Sequence, residues 1–213
     1  MTGRQATTPR WLSWARSLRS LAQAGLSYSP GPYDFERYEK VLSIAAEIVA
    51  DHTGAGVPEV TALFAAERGY ETPKVDVRGV VFREGRLLLV RELADHGRWT
   101  LPGGWADVGD RPSEAVEREV REESGYDVRA VKLLAVHDRR LHGHTPPALW
   151  GIYKLYFLCE LLGGGPQASI ETSGAAFFAE EEIPELSLGR TTPEVIARLF
   201  DHARHPDWLT DFD

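Results

Sequence analysis

Apolar side chains recur at helical spacing through about the first 70 residues, in three runs separated by glycine and proline. The first run begins at Pro9, after a capping threonine, and its predicted end is Gly25. Arg10, Arg16 and Arg19 are expected to lie mostly off its apolar face. That face is predicted to contain Trp11, Trp14, Ala15, Leu18, Leu21 and Ala22. Such a helix is expected to pack on its own domain or on a second subunit.

Two more helices are predicted after a turn-rich connector. Asp34 is expected to cap the second, which ends at Gly54, and Pro58 opens the third, which ends at Gly69. The inward residues of the third are predicted to be Val60, Leu63 and Phe64. Residues 1–72 therefore form a small all-helical module in this interpretation. It would dock on the following domain, support dimerisation or shape a substrate pocket, and the pattern leaves these alternatives open.

From Pro73 onward the pattern changes to short apolar runs typical of strands. Residues 75–82 and 87–90 flank a Glu84-Gly85 turn and predict a hairpin. A last helix is predicted to start at Thr192-Pro193. Further strands are predicted at 99–101, 128–136, 149–162 and 175–178. Strands and helices mix without strict alternation, so residues 73–213 predict an α/β domain of the α+β type, with a mixed sheet between helices.

A glycine loop leads into the most informative helix of the chain. Gly103 and Gly104 allow tight turns and close approach to a ligand. Pro112 fits the first turn of a helix, because its missing N–H would be unpaired there. Val116 and Val120 are four residues apart and can bury one face.

The same helix carries a second, acidic face. Glu119 and Glu123 lie one turn apart, with Glu122 beside them. Like charges at this spacing destabilise a helix unless something neutralises them. Hard divalent cations prefer oxygen ligands and would do so, which favours a metal site over a merely solvated acidic face.

Residues 103–126 resemble the Nudix box, Gly-x5-Glu-x7-Arg-Glu-U-x-Glu-Glu-x-Gly-U, where U is a bulky apolar residue. One position departs, because the first glutamate of the box is Asp110 here. The matching residues are Gly104, Arg118, Glu119, Val120, Glu122, Glu123, Gly125 and Tyr126. The resemblance covers about residues 74–205 and implies the Nudix α/β/α sandwich.

The wider chain resembles one branch of this family, which has a helical N-terminal extension and acts on X-linked nucleoside diphosphates. The stretches that carry this resemblance include YDFERYEKVLSIAAEI, ETPKVDVRGVVF, YKLYFLCEL and ETSGAAFF. The resemblance implies substrates such as ADP-ribose or CDP-choline.

Outside the box, several residues are candidates for the site. Arg139 and His142 belong to a basic segment that could grip a phosphate. Lys154 is a lone cation in an apolar strand, expected to face the cleft or to pair with a carboxylate. Asp107 lies in the box loop, and Glu171 precedes a strand, with the glutamates at 180–182 as competitors. Aromatic residues that could stack on a base are Trp99, Trp105, Trp150 and Tyr153.

These residues and the family resemblance together predict a metal-dependent pyrophosphohydrolase, and the resemblance implies that it releases a nucleoside monophosphate and phosphoryl-X. Glu119, Glu122 and Glu123, with Gly103 beside them, would hold Mg²⁺ or Mn²⁺. Glu171 or a box glutamate would take the proton of the attacking water, and Arg118 would orient the carboxylates. The alternatives are a Nudix-fold nucleotide-binding or sensor protein with weak or no turnover, and an RNA 5′-end pyrophosphohydrolase.

The composition and net charge of the chain limit the kinds of binding partner that are expected. The formal net charge of −8 argues against a DNA-binding surface, but not against a small nucleoside diphosphate derivative. The single cysteine, Cys159, lies in an apolar run and is expected to be a core thiol. No apolar run long enough for a membrane span and no signal-peptide pattern are present, so a cytoplasmic protein without a membrane partner is expected. A homodimer is the expected assembly.

Overall fold

The computed structural model describes residues 8–28, 31–67 and 69–213. The chain divides into two compact units, one ending at Pro73 and the other running from Lys74 to Asp213. The first unit contains α1 (Arg10–Tyr28), α2 (Pro32–Thr53) and α3 (Val57–Ala65). In the described ranges, no helix combines the length and the apolar character needed to cross a bilayer.

The predicted end of the first helix at Gly25 is wrong, because α1 continues to Tyr28. A Cβ atom placed on Gly25 would lie 2.4 Å from ring atoms of Tyr38 in α2. Glycine at this position therefore permits close approach of two helices and does not end one. The sequence pattern could not separate these two uses of glycine.

The predicted faces of the helical unit need two further corrections. Arg19 is buried, with 1% of its surface exposed, and its guanidinium donates to Glu67 Oε2 at 2.8 Å and Glu71 Oε1 at 2.5 Å. Trp14, Leu21 and Leu63, which were expected inside, are 55%, 64% and 47% exposed. A buried arginine with two carboxylate partners satisfies its charge locally, which a hydrophobic pattern does not reveal.

The helix boundaries of this unit also shift. Asp34 is not the cap of α2, because the helix begins at Pro32 with Gly31 as N-cap, and Asp34 instead forms an ion pair with Arg37. The predicted end of α2 at Gly54 is confirmed, since that residue adopts the left-handed conformation. The third helix ends at Ala65, before the predicted Gly69.

The second unit contains seven strands and two α-helices within its described residues. The predicted hairpin, box helix and final helix are all present. In chain order the elements are β1 (Lys74–Arg83), β2 (Arg86–Glu92), β3 (Trp99–Thr100), α4 (Pro112–Ser124), β4 (Tyr126–Asp138), β5 (Ile152–Gly164), β6 (Thr172–Phe178), α5 (Pro193–Arg204) and β7 (Asp211–Phe212). The two-residue strand β7 was not predicted.

The sheet is mixed, as predicted. Strand β1 runs parallel to β5 over most of its length, and β4 pairs antiparallel with β5. Strand β2 pairs antiparallel with the end of β1, with β3 and with β6. Leu199 and Phe200 of α5 pack in one core cluster, and Val116 and Val120 of α4 in another. The sheet therefore lies between α4 and α5, which confirms the predicted α/β/α sandwich.

Gly79 sets how closely α4 approaches the sheet. A Cβ atom at Gly79 of β1 would lie 2.3 Å from a methyl group of Val120. The helix that carries the acidic face therefore sits directly on β1. Cys159 is buried in the same cluster, as expected for a core thiol.

Candidate active site

The acidic face of α4 meets the glycine loop that precedes it. Gly103 has φ 139°, and a Cβ atom there would lie 2.1 Å from the carbonyl oxygen of Val77. Its amide donates to Glu123 Oε2 at 2.8 Å. A Cβ atom on Gly104 would lie 2.7 Å from Glu119 Oε2. Only glycine fits at these two positions, because the loop lies directly on β1 and against two carboxylates at once.

The two carboxylates that meet the loop, Glu119 and Glu123, are not fully neutralised by the positive groups around them. Burial raises the pKa of Glu123 to about 7, Arg78 and the Gly103 amide oppose the rise, and the charges of Glu119 and Glu92 add to it. Burial also raises the pKa of Glu119, against the opposing effect of Arg118. A cation beside these oxygens would lower both pKa values.

Arg118 holds the outer carboxylates together. Its guanidinium lies 2.8 Å from Glu119 Oε1 and 3.1 Å from Glu122 Oε2. It also lies 3.2 Å from Asp110 Oδ2 and 3.4 Å from Asp107 Oδ2. The shorter Asp110 side chain therefore still contributes a carboxylate to the arginine cluster. Within the described residues, no three acidic, histidine or cysteine side chains converge as a ready metal cage.

The residues present nevertheless fit a divalent ion. Glu119 and Glu123 offer hard oxygen donors and have raised pKa values, and the glycine loop leaves no side chain between them and the open cavity. Glu122 differs from its neighbours, because its side chain is 59% exposed and it does not line the cavity. A group of three box ligands would need Glu122 to exchange its contact with Arg118 for the ion.

These groups open into a cavity of about 620 Å³. Its acidic lining residues are Asp76, Glu92, Asp107, Glu119, Glu123 and Glu171. Its arginines are Arg78, Arg139 and Arg190. Trp105 and Trp150 also line it, so two of the four aromatic candidates face the site.

The substrate candidates from the sequence are divided by the structure. Asp107 and the exposed Glu171 line the cavity. Arg139 lines it too, but its guanidinium donates to the carbonyl oxygens of Gly189 and Pro146. Burial lowers the pKa of Arg139.

Lys154 and His142 are not on the cavity wall. Lys154 is buried, and its Nζ lies 2.8 Å from Asp76 Oδ1. This placement favours the ion pair over the substrate contact among the two expectations. The imidazole of His142 stacks on His137 with ring centroids 3.7 Å apart and lies 2.8 Å from Asp213 Oδ1. Both residues therefore lie outside the set of described residues that line this cavity.

A buried charge network supports the floor of the cavity and was missed in the sequence. Asp76 accepts hydrogen bonds from Arg78 Nε at 2.7 Å and Nη2 at 2.9 Å. Burial raises the pKa of Asp76, but Arg78 and Lys154 more than offset this and lower it to about 2. The signal was two opposite charges, two residues apart, inside an otherwise apolar strand. Arg78 also donates to the carbonyl oxygen of Leu101 at 3.0 Å, beside the glycine loop.

Glu92 and Arg190 are the other residues that the sequence did not single out. Glu92 ends β2 and is buried, and its Oε2 lies 3.1 Å from Arg190 Nε. Only the fold brings them to the carboxylates of α4, because the two residues are about a hundred positions apart along the chain.

Family comparisons agree with this architecture. Residues 9–64 match the model described as "UDP-X-like, N-terminal oligomerisation domain". Residues 72–199 match the model described as "NUDIX domain".

Individual relatives cover most of the chain. A protein of Bacillus subtilis (strain 168) named "Putative ADP-ribose pyrophosphatase YjhB" is 47% identical over 204 residues, which is 96% of this chain and 97% of that protein. The crystal structure of a UDP-X diphosphatase has a TM-score of 0.61 and 29% identity, covering 96% of this chain and 98% of that one. An ADP-ribose pyrophosphatase from Streptococcus suis 89-1591 has a TM-score of 0.58 and 37% identity, covering 67% and 100%.

Proposed function

The chain belongs to the Nudix hydrolase family, and from that premise we propose that it is a metal-dependent pyrophosphohydrolase of X-linked nucleoside diphosphates, with ADP-ribose as its first candidate substrate. The products would be a nucleoside monophosphate and phosphoryl-X. One observation carries the proposal: the buried carboxylate of Glu123 and the partly buried carboxylate of Glu119, neither fully neutralised, lie against a glycine loop at an open cavity. The names of two relatives, which specify ADP-ribose pyrophosphatase, support the choice of substrate.

Glu119 and Glu123 would hold Mg²⁺ or Mn²⁺, with Glu122 as a further ligand and Gly103 in the adjoining loop. When bound, such an ion neutralises charge on the diphosphate and lowers the pKa of a coordinated water. The chain's own groups prepare this site. The Gly103 amide fixes one oxygen of Glu123, and Arg118 orients Glu119 and Glu122. These contacts hold the carboxylates in place before substrate arrives.

The remaining roles follow from position in the cavity. Glu171 is exposed on the lining and is the proposed acceptor of the water proton, with a box glutamate as its competitor. Asp107 and Arg139 would border the substrate. Trp105, which is half exposed, and Trp150 offer apolar faces on which a nucleobase could stack.

A substrate screen tests this function. The protein would be incubated with ADP-ribose, CDP-choline, UDP-sugars and dinucleoside polyphosphates, then with phosphatase, in Mg²⁺, in Mn²⁺ and in EDTA. We expect metal-dependent phosphate release from ADP-ribose above the others, and none in EDTA. Equal release in EDTA, or release from none of these compounds, would contradict the proposal.

The helical unit is proposed to join two copies of the chain. Its match to an oligomerisation domain supports this, as do its exposed apolar side chains. Those side chains include Trp14, Leu21, Tyr33, Phe35 and Ile44. In this proposal residues 1–72 form the dimerisation module and residues 73–213 the hydrolase domain. We expect light scattering to give twice the chain mass, and a monomer at micromolar concentration would exclude the idea.

A further inference from the structure

The cavity beside Glu119 and Glu123, here called the catalytic cavity, shares part of its wall with a second cavity that the proposed reaction does not use. This adjoining cavity has a volume of about 750 Å³, and Gly189 and Arg190 line both spaces. Its other charged lining residues, Asp95, Arg98 and Glu185, are paired with one another. The Arg190 side chain, which lies where the two linings meet, is therefore in a position to contact a ligand that extends from one cavity into the other.

Arg190 differs from the other arginines of the catalytic cavity in its accessibility. Arg78 has a side chain only 5% exposed, and all three of its guanidinium nitrogens donate to Asp76 or Leu101. Arg139 is buried and donates to backbone carbonyls. The side chain of Arg190 is 35% exposed. Among the described residues lining this cavity, it is the arginine best able to reach a ligand.

The contacts of Arg190 leave its outer edge available. Its Nε faces Glu92, and Nη1 makes only a long contact of 3.4 Å with Ser187 Oγ. Within the described ranges, Nη2 donates no hydrogen bond. The two terminal nitrogens of a guanidinium can bind two oxygens of one phosphate, which is the geometry arginine suits best.

The backbone around Arg190 is held firmly in place. The Ser187 amide donates to the Trp99 carbonyl at 2.8 Å, and the Arg190 amide donates to the Ser187 carbonyl at 2.8 Å. The hydroxyl of Thr191 lies 2.9 Å from that of Thr100. A side chain on such a backbone, with Glu92 fixing its Nε, loses little freedom when it binds a ligand.

The charges that line the catalytic cavity explain why an anionic substrate would need Arg190. Six carboxylates and three arginines line the catalytic cavity, so an anionic substrate meets net negative charge there. A metal ion on Glu119 and Glu123 would compensate one end of a diphosphate. The end that points toward the adjoining cavity needs a separate cation.

We propose that Arg190 binds the phosphate on the X side of the bound nucleoside diphosphate, at the junction of the two cavities, and that Glu92 is its positioning residue. This inference rests on the proposed function, because it assumes a diphosphate in the catalytic cavity. It assigns the adjoining cavity to the group X, so Arg190 determines which phosphoryl-X compounds the enzyme accepts.

The test measures binding separately from turnover. Equilibrium binding of α,β-methylene ADP-ribose in Mg²⁺ would be measured for the unaltered chain and for Arg190→Gln, with the KM and kcat of ADP-ribose hydrolysis alongside. We expect Arg190→Gln to weaken analogue binding and raise KM by roughly tenfold to a hundredfold, as for loss of a charge-assisted hydrogen bond. The kcat should fall less than KM rises. Glu92→Gln should weaken binding by a smaller factor, because Arg190 remains but is no longer fixed.

Arg86→Gln is the matched control, since Arg86 also pairs with a glutamate, Glu182, but lines neither cavity. Unchanged binding in Arg190→Gln, or an equal loss in Arg86→Gln, would overturn the proposal. If Arg190→Gln does not fold, Arg190→Lys decides, with severalfold weaker binding expected and unchanged binding contradicting it. If the unaltered chain binds the analogue but hydrolyses nothing, an Arg190-specific loss of binding still supports this site while the proposed function fails.

Discussion

Glu123→Gln should lower kcat/KM for the preferred substrate by about 10³-fold or more, while the protein stays folded. The amide oxygen of glutamine can still accept the Gly103 hydrogen bond, so the loop keeps its position. What disappears is the negative charge that would hold the metal ion. The loss corresponds to about 4 kcal/mol of transition-state stabilisation, at about 1.4 kcal/mol per tenfold.

Stability gives this prediction a second readout. Burial of Glu123 raises its pKa to about 7, so its charge is not fully compensated in the folded protein without metal. Removing that charge should leave the Tm in EDTA unchanged or higher, whereas the stabilisation of the unaltered chain by added Mg²⁺ should be lost.

Glu114→Gln is the control on the same helix. Glu114 is exposed in the first turn, and among the described residues its carboxylate accepts hydrogen bonds only from Arg111. Its replacement should leave kcat/KM within about twofold, because it changes only an exposed helix start. If Glu123→Gln retained more than a tenth of the activity, or if both variants lost activity equally, Glu123 would not be a metal ligand.

Asp76→Asn should lower the free energy of unfolding of the second unit by about 3–5 kcal/mol. Asp76 is the shared partner of two buried cations, Arg78 and Lys154. Asparagine would leave the Arg78 guanidinium buried without this counter-charge. It would also remove the carboxylate that opposes the effect of burial on Lys154, whose pKa is already lowered to about 7. Urea unfolding at pH 7, followed by tryptophan fluorescence, would measure the loss.

Lys154→Met provides the comparison for this network. It removes one cation but leaves Asp76 with both hydrogen bonds from Arg78, so we expect a smaller loss than in Asp76→Asn. Because the two residues are in contact, the double variant should lose less free energy of unfolding than the sum of the two single losses. A cost below about 1 kcal/mol for Asp76→Asn would mean that water or other groups already solvate these charges.

The same ion pair sets the direction of a pH effect. The pKa of Asp76 is about 2 in the folded protein, against an ordinary value of 3.8. A depressed carboxyl pKa stabilises the folded state above the unfolded value, and this contribution is lost as pH falls from about 4 toward 2. In Asp76→Asn this part of the acid destabilisation should be absent.

The elements that the sequence predicted well are those whose signals are local. The glycine loop, the proline start of α4 and the left-handed Gly125 that ends it lie within one continuous stretch. The turn of the hairpin likewise directly adjoins both strands, β1 and β2, in the sequence. These signals also identified the box carboxylates, because their spacing on one helix is independent of the rest of the fold.

The features that the sequence analysis missed depend on contacts between distant segments. The sequence pattern suggested that Gly25 ends a helix, but in the fold Tyr38 packs against it. The same pattern suggested that Arg19 lies at the surface, but it is paired with two glutamates. Glu92 and Arg190 meet only because β2 and the segment before α5 converge at the cavity. Periodicity reports which face of an element is apolar, but not which charged groups will find partners there.

The most direct test of the central claim is product analysis of ADP-ribose incubated in ¹⁸O-water with Mg²⁺, with Mn²⁺ and with EDTA. We predict equal amounts of AMP and ribose 5-phosphate, one of them carrying a single ¹⁸O atom, and only when metal is present. Intact ADP-ribose in every sample, although it raises the Tm of the protein, would contradict the account and identify the chain as a binding protein built on a Nudix fold.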